Sequence, residues 1–301
     1  MDRLEAMTIL LAAIDTGSLS AASRKLRIPL ATVSRRVSEL EEHLNIRLLV
    51  RGTRKLTLTE AGRGYVASCR RILEDIAEVE RTASGEYHAP QGELIISMPP
   101  VMGRIHVLPV IVEFLRAFPQ IRMGVQLTDR FVNLLEDRVD LTIRIGALPS
   151  SSLISTRIGL VREMLCASPA YLKKRGVPKK PEDLVSHDCV AYEGYGIGSD
   201  WEFRSKGTLQ TIQVPSRLVV NSVEAALVAA IDGAGIARVA SYQIGNLVKS
   251  RTLVKLLEAY EPLPAPVSLM YASQGQIPLK LRAFLDFAIP RLRKRLGYMH
   301  A

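Results

Sequence analysis

Hydrophobic residues recur at helical spacing through the first 44 residues of the chain. Steps of three and four residues predict a first helix, which Gly17 ends. Ser18 is a residue type that accepts a backbone hydrogen bond at a helix N-terminus, so a second, short helix is predicted after it. Pro29 is predicted to open a third helix, because proline lacks the N–H that would be unpaired there. The apolar positions of the first helix are Leu4, Met7, Leu11 and Ile14.

The third predicted helix has an apolar face and a polar, basic face. Val33, Val37 and Leu40 fall on one side at steps of four and three, whereas Ser34 and Arg35 fall on the other. Two short helices with a polar outer face are typical of a helix-turn-helix whose second helix enters the major groove of DNA. Two ordinary amphipathic helices of a bundle are the alternative.

A basic hairpin is predicted directly after these helices. The segments 48–50 and 56–58 are short β-type runs around the sequence RGTRK at 51–55. Residues 24–55 hold nine Lys and Arg against three Glu, a charge balance that favours a polyanionic partner. We therefore interpret the predicted hairpin as a wing beside the third helix.

At this point the chain resembles the LysR-type transcriptional regulators. The motifs that carry the resemblance are GSLSAA at 17–22, VSR at 33–35, LE at 40–41, LLVR at 48–51, and LTEAG at 58–62 preceded by Arg54. The family often has a Ser-Gln pair where Pro29 and Leu30 stand here, so the adenine contact of a Gln is absent, and Leu30 could contact a thymine methyl group instead.

The helix-turn-helix pattern and the resemblance together predict a DNA-binding domain over residues 1–58. Its candidate contacts with double-stranded DNA are Ser18, Ser20, Leu30, Ala31, Thr32, Ser34, Arg35, Arg36, Ser38, Arg51, Arg54 and Lys55.

A long helix with a heptad pattern is predicted between about Thr59 and Thr82. Docking of this stripe on its own domain is one interpretation, and dimerisation is the favoured one, which the family resemblance also implies. Residues 59–89 are then a dimerising linker with a hinge from Ser84 to Gly92. The heptad positions are Tyr65, Cys69, Ile72, Ile76, Val79 and Ala83.

From Glu93 onward strands alternate with helices, which predicts a mostly parallel sheet. Among the predicted helices are Val101 to Phe118 and a short one from Phe131 to Glu136. The resemblance implies a two-lobed, periplasmic-binding-protein-like (type 2) effector domain over 90–301. Lobe I is predicted as 90–161 and 266–301, and lobe II as 162–265, with chain crossings near 160–162 and 264–267. The fold class is thus α/β with an all-α winged helix-turn-helix N-terminal domain.

Ligands of open α/β lobes bind at the carboxyl ends of the strands, and helix N-termini there favour anions. This predicts a small anionic effector, plausibly a carboxylate. The alternative for each candidate residue alone is a structural role as a helix cap, in a turn or in an ion pair. For Arg130 and Arg144 the partner of such an ion pair would be Asp129, Asp137 or Asp140. The candidate effector contacts are Ser97, Met98, Pro99, Val101, Thr128, Arg130, Arg144, Gly146, Asn221 and Ser222.

Composition limits the remaining classes of protein. The 301 residues carry a net charge of +10 and three widely spaced cysteines, a pattern that argues against a disulfide framework and against zinc. No apolar run is long enough to span a membrane and no signal-peptide core follows Met1, so a cytoplasmic location is expected. Cys166 and Cys189 are expected to be apolar core residues, and so are Trp201 and Phe203.

The sequence therefore predicts a DNA-binding transcriptional regulator without a cofactor, controlled by a small molecule. Its expected partners are double-stranded DNA, the effector, a second copy of the chain and RNA polymerase. An enzyme on the two-lobed fold is the first rival, but no nucleophile or acid–base set converges in the sequence. A solute-binding transport component is the second rival, which the lack of a signal sequence disfavours.

Overall fold

The structure is a computed structural model that describes residues 1–50, 56–83, 89–134, 136–146, 153–193, 199–205, 207–272 and 277–297. The chain divides into two compact units, Met1–Ala89 and Pro90–Ala301. Among the described residues no single helix is long and apolar enough to cross a membrane. The first two helices pass a test of length and composition only as a pair, and they meet at 116°.

The first unit consists of four helices and a two-stranded ribbon. Its core is formed by the apolar faces of the first three helices, with Ile9, Leu10, Val33, Val37 and Leu40 almost fully buried. The elements are α1 (Arg3–Thr16), α2 (Leu19–Leu26), α3 (Leu30–Leu44), β1 (Leu49–Val50), β2 (Thr57–Leu58) and α4 (Glu60–Ala83).

The helix ends agree with the sequence signals, with one correction. Gly17 ends α1 in the left-handed conformation at φ 77°, and the Ser18 hydroxyl accepts from the Ala21 N–H, as the sequence predicts. Pro29 is the residue before α3 rather than its first residue, because its ψ of 138° is extended and Leu30 begins the helix.

The second unit contains two five-stranded sheets, one in each lobe. In lobe I the strand order is β4-β3-β5-β14-β6, and in lobe II it is β11-β8-β12-β7-β13. The strands of lobe I are β3 (Gly92–Met98), β4 (Ile121–Leu127), β5 (Leu141–Ile145), β6 (Leu153–Val161) and β14 (Ala265–Ala272). The strands of lobe II are β7 (Glu163–Ala167), β8 (Cys189–Tyr192), β11 (Ser216–Val220), β12 (Ile236–Ala240) and β13 (Val254–Leu256), with a separate hairpin of β9 (Asp200–Ser205) and β10 (Thr208–Gln213).

Helices cover both sheets and complete the cores. The Phe114 and Phe284 rings meet edge to face at 5.1 Å in the lobe I core, and Trp201 and Phe203 are buried in a lobe II core, as predicted for them. The helices of lobe I are α5 (Pro100–Met102), α6 (Leu108–Ala117) and α10 (Leu279–Gly297), and a π-helical segment, Gly103–Val107, joins the first two. The helices of lobe II are α7 (Pro169–Arg175), α8 (Val223–Ile231) and α9 (Ser241–Lys249).

The structure corrects the prediction of a mostly parallel sheet. β3 pairs in parallel with β4 and β5, but β14 pairs antiparallel with β5 and β6, so the lobe I sheet is mixed. Lobe II repeats this mixture. The returning strand β14 enters antiparallel because it comes back from the other lobe rather than through a helical crossover.

The predicted helix from Phe131 to Glu136 is also wrong: the described residues there form turns. The Asp137 carboxylate accepts from the Asn133 backbone N–H at 3.0 Å and from the Arg130 guanidinium at 2.6 and 3.1 Å. Such local side-chain bonds compete with the backbone bonds of a helix, which explains the turn.

The lobes are joined at two crossings that lie side by side. The chain leaves lobe I between β6 and β7, at Arg162, and returns between β13 and β14. The Arg162 guanidinium donates to the Glu261 carboxylate at 2.7 and 2.8 Å, and the Arg162 carbonyl accepts from the Ser241 N–H at 2.8 Å. These bonds hold the two crossings and the start of α9 together.

Candidate nucleic-acid interface and inter-lobe cavity

One face of α3 is exposed and carries no core contacts. Its exposed residues are Leu30, Ala31, Ser34, Arg35 and Ser38, all predicted DNA contacts. Arg35 is the longest of these side chains and 64% exposed, and its nearest acid is Glu39 at 3.8 Å. A small, polar surface with one long cation is what a helix needs to approach base edges and phosphates closely.

The remaining predicted contacts of this region divide into two groups. Ser20 is exposed, and Thr32 is half-buried at the edge of the face. Ser18 is half-buried and its hydroxyl is used by the cap of α2. The structure corrects Arg36: its guanidinium binds Glu5 on α1 at 2.9 Å and Glu39 at 3.1 Å, so it joins two helices instead of facing outward.

The start of the wing is fixed by a buried carboxylate on the inner face of α3. Glu41 is 6% exposed and accepts from the backbone N–H groups of Leu48 at 2.7 Å and Leu49 at 3.0 Å, and from Arg47 at 2.9 Å. Burial alone would raise the pKa of Glu41, but these donors hold it below its usual value. The predicted contacts of the wing tip, Arg51, Arg54 and Lys55, lie outside the described residues.

The heptad stripe of α4 has two different surroundings. Tyr65 packs against the core of the first unit, and Cys69 is fully buried, so the structure removes these two from the predicted dimer seam. Further along the helix Ile72 and Val79 are exposed, with Val79 at 68%. Ile76 is half-buried, and the side chain of Ala83 lies outside the described part of the chain. Docking on its own domain thus describes Tyr65 and Cys69, whereas the exposed Ile72 and Val79 agree with the dimerisation interpretation.

A small cavity of about 60 Å³ lies between the lobes at the crossings. Lobe I contributes the start of α5, the second residue after β4 and the ends of β5 and β6. Lobe II contributes the first residue of β7, parts of β8 and β12, and the first residues of α8 and α9. Its apolar wall consists of Pro99, Val101, Ile145, Val161, Val223, Val239 and Ala240, and Trp201 contributes at the lobe II end.

The polar wall of the cavity is acidic and aromatic. Arg238 is bound to the Glu163 carboxylate, so these two charges offset each other. The Asp129 carboxylate lies within reach of the Tyr192 hydroxyl, and burial and this carboxylate raise the pKa of Tyr192. Burial, and then the Asp129 charge, likewise raise the pKa of Tyr242. Both phenols are therefore neutral at pH 7 and can donate hydrogen bonds.

Two of the ten predicted effector contacts line this cavity, namely Pro99 and Val101. Six others stand next to a lining residue in the sequence: Met98 precedes Pro99, Thr128 and Arg130 flank Asp129, Arg144 and Gly146 flank Ile145, and Ser222 precedes Val223. Ser222 caps α8 by accepting from the Ala225 N–H, and Asn221 is exposed.

The strand residues among these ten contacts are buried in lobe I or occupied elsewhere. Ser97 and Met98 are fully buried in β3. Gly146, at φ 103°, follows β5 and donates its N–H to the Pro266 carbonyl at 2.9 Å. None of the three lines the cavity.

The two arginines expected to attract an anion are engaged elsewhere. Arg130 binds Asp137 in a two-point ion pair, which was the alternative considered for it. Arg144 is 3% exposed, donates to the Arg130 carbonyl at 2.7 Å and lies over the Phe131 ring at 5.2 Å. The structure thus contradicts an anion site built on these two guanidinium groups.

Sequence reasoning missed most of the polar wall. Glu163 and Arg238 are diagonal neighbours across the antiparallel pair of β7 and β12, in which Arg238 is opposite Leu165, and β12 was not predicted. Tyr192 ends β8, and Tyr242 and Gln243 begin α9, neither of which was predicted. The predicted crossing at 160–162 is the sequence signal that could have indicated Glu163, since residues beside a crossing line the space between the lobes.

Neither metal nor redox chemistry is indicated by the described residues. No three His, Cys, Asp or Glu side chains within them lie close enough to hold a metal ion. The thiols of Cys166 and Cys189 are free, and burial raises the pKa of each to about 12.

Comparison with known protein families covers both units. Residues 4–63 match the family described as bacterial regulatory helix-turn-helix protein, lysR family. Residues 88–293 match the family described as LysR substrate binding domain. The two matches span the α1–α4 region that presents the exposed face and the two lobes that enclose the cavity.

Relatives and solved structures are similar over nearly the whole chain. The chain is 32% identical to the HTH-type transcriptional activator AaeR of Escherichia coli over 287 residues, which cover 95% of this chain and 93% of AaeR. It is 33% identical to an HTH-type transcriptional regulator of Haemophilus influenzae, covering 93% of this chain and 98% of that one. The structure of CrgA, a LysR-type transcriptional regulator from Neisseria meningitidis, has a TM-score of 0.60 at 30% identity and covers 97% of this chain and 98% of CrgA. The Vibrio cholerae virulence activator AphB gives a TM-score of 0.60 at 29% identity, with 96% and 99% covered.

Proposed function

Because the chain belongs to the LysR family of transcriptional regulators, we propose that α3 is its recognition helix and the inter-lobe cavity its effector site. The observation that carries the first part is the division of α3 into two faces. Val33, Val37 and Leu40 are buried, whereas Ser34 and Arg35 are exposed. In this proposal α3 enters the major groove and the phosphates bind the cations around it.

Base reading by α3 rests on few side chains. Arg35 can donate two hydrogen bonds to a guanine, and Leu30 can contact a thymine methyl group. Ser34 and Ser38 are short enough to let the helix approach the base edges. Arg36 is excluded from this role because Glu5 and Glu39 hold its guanidinium.

The test is operator binding by the full chain, measured on the DNA flanking its own gene at several salt concentrations. If a dimer makes about 6–10 phosphate contacts, affinity should fall by about 10³–10⁵ between ~50 and ~200 mM salt. Arg35→Ala should weaken operator binding by about 1–3 kcal/mol per contact and relax the sequence preference at the base pair that Arg35 reads.

The matched control for Arg35→Ala is Lys173→Ala, which removes an exposed charge from α7 in the other unit. It should leave operator affinity and its salt dependence unchanged. Binding that does not respond to salt, or that Lys173→Ala weakens as much as Arg35→Ala, contradicts the assignment of α3.

The proposed effector acts by binding between the lobes, without turnover. Support comes from the cavity beside the crossings, where a ligand contacts Asp129 of lobe I and Tyr192 of lobe II at once. Closure on the ligand would change the spacing of the DNA-binding units in a dimer, and hence the footprint. Incubation followed by mass analysis should recover the effector unchanged, and a converted product would instead favour the enzyme.

Self-association is proposed through the later part of the α4 stripe, in which Ile72 and Val79 are exposed and Ile76 is half-buried. Exposed apolar residues at heptad spacing favour a second helix of the same kind as the partner. RNA polymerase is proposed as a further partner at promoters, and the cytoplasm, where bacterial DNA lies, as the site of action. Co-purification with polymerase on operator DNA, with the footprint as a control for occupancy, tests the former.

A further inference from the structure

The charge of the inter-lobe cavity differs from the charge that the sequence predicts. Its charged lining residues are Asp129, Glu163 and Arg238. Arg238 and Glu163 form an ion pair, with only 11% and 19% of their side chains exposed. Among the described residues no cation lies within 4 Å of the Asp129 carboxylate, which leaves one uncompensated negative charge on the cavity wall.

Aromatic rings surround this charge. Tyr192 and Tyr242 line the cavity with Asp129, and Trp201 contributes to the wall at the lobe II end. The His106 ring packs edge-on against Tyr242, with centroids 5.5 Å apart, and so fixes the plane of that phenol. Burial, and then the nearby Arg295 charge, lower the pKa of His106, so the imidazole that contacts Tyr242 is neutral at pH 7.

A carboxylate combined with electron-rich rings binds a cation. A ligand ammonium within about 5 Å of Asp129 is attracted through a partly dry cavity, and a ligand carboxylate at that position is repelled. Aromatic faces add attraction for an ammonium or quaternary amine. The opposing factor is the N-terminal end of α8, but Ser222 already accepts one of its N–H groups, from Ala225.

The size of the cavity limits the ligand further. A volume of about 60 Å³ corresponds to a few water-sized positions at roughly 10–15 Å³ each. About four to six non-hydrogen atoms fit, and Val101, Ile145 and Val239 are part of the apolar lining.

We propose that the effector is a small organic amine, bound as its ammonium by Asp129 and the neighbouring aromatic rings, with its hydrocarbon part against the valine and isoleucine wall. This inference rests on the proposed effector site and names the class of ligand that the site selects. It replaces the anionic effector predicted from the sequence.

Trp201 makes the proposal directly measurable, because it is the only tryptophan of the chain and it lines the cavity. Its fluorescence in the full chain is followed during titration with isobutylammonium, isobutanol and isobutyrate, which share a branched hydrocarbon group and differ in charge. Isobutylammonium should give a saturable change at a Kd at least about ten-fold lower than either of the others.

Variants separate charge selection from general effects. Asp129→Asn should weaken isobutylammonium binding about ten-fold or more and bring it close to isobutanol. Glu136→Gln is the matched control: it removes an exposed carboxylate from the turn after β4 that does not line the cavity, and its Kd should stay within about two-fold of the unsubstituted chain. Thermal unfolding without ligand shows whether each variant is folded. If a variant is not folded, the comparison of the three probes on the unsubstituted chain still tests the proposal.

The results that overturn the proposal differ from those that overturn the proposed function. If isobutyrate binds as tightly as isobutylammonium, or if Asp129→Asn leaves the Kd unchanged, the ligand is not selected by its positive charge, while the inter-lobe effector site stands. A Trp201 signal that responds to none of the three probes also overturns the amine. Loss of any ligand-dependent footprint, tested with cell metabolites, is what would remove the effector site itself.

Discussion

Replacement of Glu41 tests how the recognition helix positions the wing. Glu41 is on the inner face of α3, and one of its carboxylate oxygens, Oε1, accepts from both Leu48 and Leu49. In Glu41→Ala these two N–H groups lose their acceptor at positions where Leu48 is fully buried and Leu49 is 9% exposed. A buried donor without a partner costs about 1–3 kcal/mol, so the local destabilisation should be about 2–5 kcal/mol.

Glu41→Gln gives a graded comparison. The amide oxygen of Gln can replace Oε1 for both backbone donors, but its NH2 group then meets the Arg47 guanidinium, which is 59% exposed. Only this outer bond is lost, so the cost should be about 1 kcal/mol. Glu42→Ala is the control, since Glu42 is exposed and carries the same charge, and it should change stability by less than ~0.5 kcal/mol.

Amide hydrogen exchange at Leu48 and Leu49 in the full chain measures the effect locally. A loss of 2–5 kcal/mol should accelerate exchange there by about 30-fold to several thousand-fold, while the fluorescence of Trp201 in the second unit stays unchanged. Operator affinity should fall in the order Glu42→Ala, Glu41→Gln, Glu41→Ala. If Glu41→Ala exchanges no faster than Glu42→Ala, the carboxylate does not hold the wing and the reasoning is wrong.

The direction of the Glu41 pKa shift determines how this contact depends on pH. The pKa of Glu41 is lower in the folded protein than in the unfolded chain. The contribution of ionised Glu41 to the free energy of unfolding is therefore fully present above the usual Glu pKa and is lost as the pH falls through the lowered pKa. The protection factor of the Leu48 N–H should fall below about pH 4.5, and this acid-induced loss of protection should be missing in Glu41→Gln.

Three further results are expected. Arg36→Ala should lower the thermal midpoint of the first unit, because the ion pairs that join α1 to α3 are lost, whereas Arg35→Ala should not; equal midpoints of the two variants would contradict this. Ile76→Asp should shift the full chain from dimer to monomer in sedimentation, since burying a charge at a heptad position is unfavourable, and an unchanged dimer would assign the stripe to docking. The three thiols, all free and buried, have pKa values raised by burial, so iodoacetamide should modify them only after unfolding, and rapid labelling at neutral pH would show that the cores open.

The three helices α1 to α3 of the first unit could be predicted from the sequence alone. Helices α1 to α3 are set by contacts three and four residues apart and by the caps at Gly17 and Ser18, which are local properties of the chain. The exposed face of α3 follows from the same periodicity, because residues that are not on the apolar stripe point outward. The exception is Arg36, whose partner Glu5 lies on another helix, so its role depends on packing that periodicity does not describe.

Among the strands adjoining the cavity, β5 and β7 could be predicted from the sequence but β8 and β12 could not, and the sequence did not show which side chains face the cavity. Successive residues of a strand point to opposite faces, and the choice between them depends on which face the other lobe covers. On β5 the sequence favoured Arg144, yet its neighbour Ile145 lines the cavity while Arg144 is buried on the other side. The loop after β4 shows the same displacement by one residue, from Arg130 to Asp129.

The charge of the cavity depends on contacts between residues that are far apart in the sequence. Glu163 and Arg238 are 75 residues apart and meet because β7 and β12 pair antiparallel, and Asp129 meets Tyr192 because the two crossings bring the lobes together. Arg130 is not part of the site, because it binds Asp137, which is close in the sequence, and because its neighbour Asp129 is the residue that lines the cavity. Long-range pairing has no short-range signature in the sequence, and a ligand site between two lobes consists almost entirely of such pairings.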